Sequence, residues 1–506
     1  MTEKRGLWIA DQGDGTYRNP ILYTDYSDPD VAGNEGDYYM AASSFSNSPA
    51  LPILHSKDLV NWKVVSYVME KIPFPDYNEP AHGRGVWAPA IRFHEGKYYV
   101  YFPMPDEGIF VSTCENPKEG GWSEPVCVKE GKGWIDPCPL WDEDGKAYLV
   151  NAYAKSRIGI KSILHISPMA WDGMSLLGDG ADVFDGHNTQ PTIEGPKLYK
   201  RTGYYYILAP AGGVKTGWQT ALRSKNIYGP YEEKIVMLQG DTQINGPHQG
   251  GWITTQTGED WFLHFQDVEN AGRIVHLQPM TWENDWPVIG RNTGEGYGVP
   301  VEAYKKPDVG GEYPIGAPED SDDFRGKSLG LQWQWNANYK DEWYSLSESG
   351  LTLYAKQCQK PLCDVPNLLL QKWTAPAFYA DTLLRLKNLK DGDIVGMISL
   401  GTDYTAIAIE QKGNQRQLVQ ITGIRGESEE KKLLGSWEES EIAFRMKVDI
   451  TGHVQFFIKK KGAYESEGNT VLMTPGRWVG VKCGLFAINQ AGSEGGSVEA
   501  DSFLFS

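Results

Sequence analysis

The chain of 506 residues contains only six cysteines, at positions 114, 127, 138, 358, 363 and 483. No Cys-x-x-Cys pair and no Cys/His spacing suited to zinc occurs, which excludes a zinc-ribbon or disulfide-scaffold architecture. The thiols are expected to be free and buried, as in a reducing compartment. Positive charge is also scarce: 48 Lys and Arg stand against 66 Asp and Glu, a net charge of −18. That argues against a nucleic-acid or anionic-membrane partner, either of which needs a basic face. No run of about 18 apolar residues exists, so no helical membrane span is expected. Met1 to Asp14 is polar and lacks an apolar core, so no secretory signal is visible and a cytoplasmic location is expected. There is no HExxH and no complete Walker sequence. Gly326-Lys-Ser328-Leu-Gly330 follows an acidic stretch rather than an apolar strand, the wrong context for a nucleophile elbow. Asp142-Glu-Asp144-Gly145 and Asp11 to Gly15 lack the terminal Glu of a calcium loop and read as turns.

What is abundant is aromatic and turn-forming. Eighteen Trp, 27 Tyr and 16 Phe accompany 57 Gly and 30 Pro, the composition of a turn-rich β protein. The length exceeds one ordinary domain. Within the first 300 residues, a Gly followed by an aromatic and an apolar run recurs at Gly36, Gly96, Gly145, Gly203 and Gly258, at intervals of 60, 49, 58 and 55. Each copy reads as a turn feeding a strand, and a period near 50 is that of propeller blades. Five copies predict five blades over residues 1–305. A Pro- and Gly-bearing stretch at 306–318 reads as a linker. Beyond it, over 319–506, half-buried strands such as Phe378 to Leu386 predict an antiparallel β-sandwich, jelly-roll and lectin-like.

Eight to ten residues before each repeated Gly lies a short segment with one distinctive side chain. These are Asp28-Pro29-Asp30, Trp87-Ala-Pro89, Asp136-Pro137-Cys138, Glu194-Gly-Pro196 and Gly246-Pro-His248. Each is expected to enter the innermost strand of its blade, so Asp28, Trp87, Asp136, Glu194 and His248 should converge at one mouth of the axis. Three carboxylates there suit glycosidic bond cleavage. One must stay protonated to serve the leaving oxygen, a second acts on water or the anomeric carbon, and a third raises the pKa of the acid. Phe45 and Trp87 are expected to wall a sugar pocket.

These motifs resemble glycoside hydrolase family 43. The resemblance rests on Asp28-Pro-Asp-Val, Trp87-Ala-Pro-Ala-Ile-Arg, Ile135-Asp-Pro, Asp142 to Asn151, Glu194-Gly-Pro-Lys-Leu-Tyr and Gly272 to Trp282. Ser43 to Ser56 and Leu329 to Trp335 resemble its two-domain β-xylosidase and α-L-arabinofuranosidase branch. The resemblance implies an inverting mechanism with Asp28 as base, Glu194 as acid and Asp136 as modulator; Asp30, two residues on and facing the same side of a strand, is an alternative base. It also implies that Arg273 contacts sugar and carboxylates at the pocket rim, and that His248 binds Ca²⁺ at the axis with water completing the shell. The common Gly-His-Gly is replaced here by Gly246-Pro-His248-Gln-Gly250. The expected activity is exo-acting release of xylose from β-1,4-xylo-oligosaccharides, with terminal α-L-arabinofuranose of arabinoxylan fragments as a second substrate. The alternatives are an endo-arabinanase on the same propeller and a non-catalytic carbohydrate-binding propeller.

Overall fold

The computed structural model describes residues 6–492 and 495–506. The first 300 residues form five antiparallel sheets arranged as propeller blades, each built on four consecutive strands. The inner strands are Asp30–Asn34, Ala90–His94, Trp134–Trp141, Lys197–Arg201 and His248–Thr254. Each leads through the repeated glycine turn into the second strand of its blade. Gly36, Gly96 and Gly203 have φ of 75°, 81° and 80°, and each follows a residue that is also left-handed: Glu35, Glu95 and Thr202. Two successive positive φ values make the tight turn whose twist matches a right-twisted hairpin, and glycine adopts them without steric cost.

Second strands are buried on both faces because each blade is flanked by two others. In blade 2, Lys97–Met104 is buried at every position after Lys97. Tyr98, Val100 and Phe102 pack with Tyr39 and Ile53 of blade 1, while Tyr99 and Tyr101 pack with Ala147 and Leu149 of blade 3. Alternate side chains thus serve alternate neighbours, which explains an aromatic run without polar interruption. The ring is closed by the N-terminal segment. Thr16–Arg18 pairs with Ala303–Lys305, and Tyr17 Oη donates to the Leu277 carbonyl of blade 5 at 2.7 Å.

No strand lies between Lys305 and Gln334. This stretch is nonetheless tied down: Lys306 Nζ contacts Asp11 and Asp58 at 2.6 and 2.9 Å, and Val309 joins the propeller core. The C-terminal domain is a sandwich of eight-stranded and seven-stranded sheets. Phe378–Asn388 alternates buried and accessible residues, as a strand with one face on a core does. Asp393–Leu400 and Lys482–Asn489 are buried throughout, because Leu362, Cys363 and Leu368 cover the outer face of their sheet.

The two domains are joined through backbone groups. Ser48 and Trp335 exchange hydrogen bonds of 2.6 and 3.2 Å. The Asn338 amide binds both the N–H and the carbonyl of Ile72, each at 2.8 Å. Among the described residues no helix is long and apolar enough to cross a membrane. All six cysteines are free, and five are buried as expected. Cys127 is exposed, because it lies on the solvent side of the outermost strand of blade 2, Val126–Glu130.

Candidate active site

The Asp-Pro segments enter the first and third inner strands in an uncommon conformation. Asp28 and Asp136 both have φ of 55°, although a residue preceding proline favours extended backbone. Left-handed geometry costs a non-glycine residue roughly 1–2 kcal/mol, and surrounding contacts hold it in place. Ser27 Oγ and Ser43 Oγ each donate to Asp28 Oδ2 at 2.7 Å. Arg273 Nη1 donates to Asp28 Oδ1 at 2.8 Å and to Ser27 Oγ at 2.9 Å. Asp136 Oδ2 accepts the Gly195 N–H at 2.7 Å. The ladder of its strand slips between Ile135 and Cys138, so Asp136 sits on a bulge. A second slip, between His248 and Gly250, places Gln249 on a bulge in blade 5. Bulges re-aim side chains out of a strand's regular alternation.

Asp28, Asp136 and Glu194 line one cavity of about 470 Å³ at this end of the axis, together with Phe45, Trp87 and Arg273. Six of the seven residues expected in the site therefore share its wall. Phe45 is 5% exposed and is held against the segment before Trp87. Gly85, with φ of 89°, is needed there because a Cβ would lie 2.4 Å from the Phe45 carbonyl oxygen. Trp87 is clamped between the Arg157 guanidinium, 4.7 Å from its ring, and the edge of Trp478 at 4.8 Å. Arg157 is itself fixed by two contacts to Asp106, at 3.1 and 3.0 Å.

Trp478 also lines the cavity, and it comes from the sandwich. It has φ of 63° and sits in a turn anchored to the propeller. The Gly480 N–H donates to Asp25 Oδ2 at 3.0 Å, and Asp25 Oδ1 accepts the Arg273 N–H at 2.9 Å. Sequence reasoning missed Trp478, since nothing local distinguishes it from the other tryptophans of the sandwich. It also missed Gln249, Lys161 and Thr192, which share the wall.

The carboxylates differ in their surroundings. Burial, then the nearby negative charge of Asp136, raises Glu194 above the ordinary carboxyl range. Arg273 opposes this, and Asp28 adds to it. Burial also raises Asp136, against the Gly195 N–H and the Lys197 charge. Glu194 has 40% of its side chain accessible, and that accessibility is to the cavity it lines. Asp28 faces an arginine and two hydroxyls, a donor set suited to an ionised, acceptor-only carboxylate. Arg273 is 9% exposed. It is therefore a buried wall residue holding Asp28 rather than a rim charge.

Asp30, the alternative base, does not face the cavity. It is fully buried, and its Oδ2 accepts the Ile91 N–H and Arg92 Nη1, at 2.8 and 2.5 Å. The two-residue spacing from Asp28 misleads because the left-handed turn at Asp28 breaks strand alternation just before Asp30.

His248 lies beside the cavity with 2% exposure, its Nε2 3.5 Å from Glu194 Oε1. Burial and Arg273 push it down to about 3, so the ring is neutral. Neither ring nitrogen has a hydrogen-bond partner among protein atoms, so the imidazole is free to ligate. Among the described residues no three His, Cys, Asp or Glu converge as a metal cage. Calcium prefers six to eight oxygen ligands, so His248 fits only an ion whose remaining shell is water.

The chain is similar in sequence and in fold to known proteins. The family model for glycosyl hydrolases family 43 matches residues 17–287. That for the beta xylosidase C-terminal concanavalin A-like domain matches residues 321–506. A putative beta-xylosidase of Xylanibacter ruminicola is 38% identical over 482 residues, covering 94% of this chain and 87% of its own. A non-reducing end alpha-L-arabinofuranosidase of Bacteroides ovatus is 29% identical over 451 residues, covering 82% and 80%. In fold, the chain is similar to a xylan beta-1,4-xylosidase from Bacillus halodurans, with a TM-score of 0.85 at 23% identity over 97% of this chain and 99% of that one.

Proposed function

The chain belongs to glycosyl hydrolases family 43, and from that premise we propose an exo-acting, inverting β-xylosidase that also accepts terminal α-L-arabinofuranosides. The observation that carries the reading is one walled cavity holding a carboxylate engaged by an arginine, Asp28, and a carboxyl raised by burial and like charge, Glu194. In this mechanism Asp28 takes a proton from water as the water attacks the anomeric carbon. Glu194 gives its proton to the departing glycosidic oxygen. General acid and base catalysis each contribute about 10²–10⁴-fold. Asp136 keeps Glu194 protonated near neutral pH, and Arg273 keeps Asp28 oriented. Trp87, Phe45 and Trp478 give the sugar faces apolar walls and exclude water from the departing bond.

The wall supplied by Trp478 supports a pocket rather than an open groove, and so favours exo over endo action. The relatives named above support xylose and arabinofuranose as the sugars. Calcium belongs to the proposal through His248 alone. His248 would hold it, and when bound it would supply positive charge near the carboxylates; metal analysis of the purified protein tests it.

Time-resolved proton NMR of xylobiose hydrolysis tests the mechanism. α-Xylose should appear first, and Glu194→Gln should abolish turnover while retaining xylobiose binding. β-Xylose appearing first would overturn inversion and the role given to Asp28. Undiminished turnover by Glu194→Gln would remove it as the acid.

A further inference from the structure

A second, smaller cavity of about 30 Å³ lies between the domains and shares Phe45 with the catalytic pocket. Four basic side chains line it: His82 from the propeller, and Arg425, Arg477 and Lys482 from the sandwich. No Asp or Glu does. Lys482 is 8% exposed and donates to Asn47 Oδ1. Arg425 Nη2 donates to the Gly401 carbonyl at 2.6 Å, but its Nε is buried without a partner. Arg477 lies over the Trp478 ring at 4.4 Å.

Counter-charge stands outside the wall. Asp364 Oδ1 is 3.5 Å from His82 Nε2. Asp25 acts on Lys482, where Lys372 adds another positive charge. The basic groups respond as a crowd of like charges does. Burial, with Lys372 and Arg425, pushes Lys482 down to about 7, and burial, with Arg425, pushes His82 down to about 4. Buried charges are ordinarily paired, and within the wall itself Lys482 and Arg425 face no carboxylate. The space exceeds the roughly 10–15 Å³ that one water needs, yet admits no sugar ring.

We propose that this cavity binds one small inorganic anion of chloride size. The anion offers Arg425 Nε the partner it lacks and offsets the charges of Lys482, Arg425 and Arg477. It thereby steadies the turn from Gly476 to Gly480, which carries Trp478 into the catalytic pocket. The site concerns the interface between domains and stands whether or not the sugar assignment does.

The test is chloride titration of the full chain at constant ionic strength, with gluconate as the replaced anion. The melting temperature should rise by about 2 °C and saturate, and crystals grown with bromide should show anomalous density in this cavity. Arg425→Gln should abolish the saturable rise. Should that variant fail to fold, Arg477→Met, whose parent side chain is exposed, should weaken chloride about tenfold. A rise of equal size in the variants, or bromide absent from the cavity, would overturn the site.

Discussion

Asp28-Pro29 and Asp136-Pro137 are the same dipeptide at the same phase of two blades. Both aspartates have φ of 55°, with exposures of 5% and 4%. Their surroundings nevertheless diverge. Asp28 receives a guanidinium and two hydroxyls, whereas Asp136 receives the Gly195 N–H and the Gln249 amide and sits where burial raises it. Identical local chemistry therefore meets two different environments. What separates them is Arg273, which arrives from blade 5 and reaches only the first. The comparison shows that a carboxylate's donors in this site are set by tertiary contacts, not by its own backbone.

Substitutions can break or sharpen this contrast. The largest effect is expected for Asp28→Asn, which removes the group proposed to accept the proton of water. kcat/KM on an aryl xyloside should fall roughly 10⁴-fold. Asp136→Asn should cost less, about 10²-fold, and should move the alkaline limb of the rate profile to lower pH. The sign follows from charge: the Asp136 carboxylate raises Glu194, so its loss lets Glu194 give up its proton earlier. A limb left in place would mean that Asp136 does not act through Glu194. Trp478→Ala removes a wall rather than a charge, and should raise KM about tenfold with a smaller change in kcat. Ser43→Ala deletes one of the donors to Asp28 and should lower kcat about fivefold. Steady-state rates measured against pH read all four.

The propeller was visible in the sequence because its signals are local. A glycine that must adopt positive φ, an aromatic that faces a neighbouring blade and a turn near every fiftieth residue recur without reference to the rest of the chain. The carboxylates were visible for the same reason, since a repeat brings equivalent phases to one end of the axis. Three features resisted that reading. Asp30 was placed on the face of Asp28 by strand alternation, which the left-handed turn interrupts. Cys127 was expected to be buried, yet its strand is the outermost of its blade. Trp478 lies in the other domain, and no periodicity relates it to Asp28.

By itself, then, the sequence determined the repeated strands and turns and the three carboxylates that share one phase of the propeller. Tertiary structure alone decided that Asp28 meets Arg273, that Glu194 is crowded by Asp136, and that a tryptophan of the sandwich closes the pocket. The reason is physical. Backbone preference is settled within a few residues, whereas a carboxylate's charge state depends on groups a few ångströms away, which folding recruits from other blades.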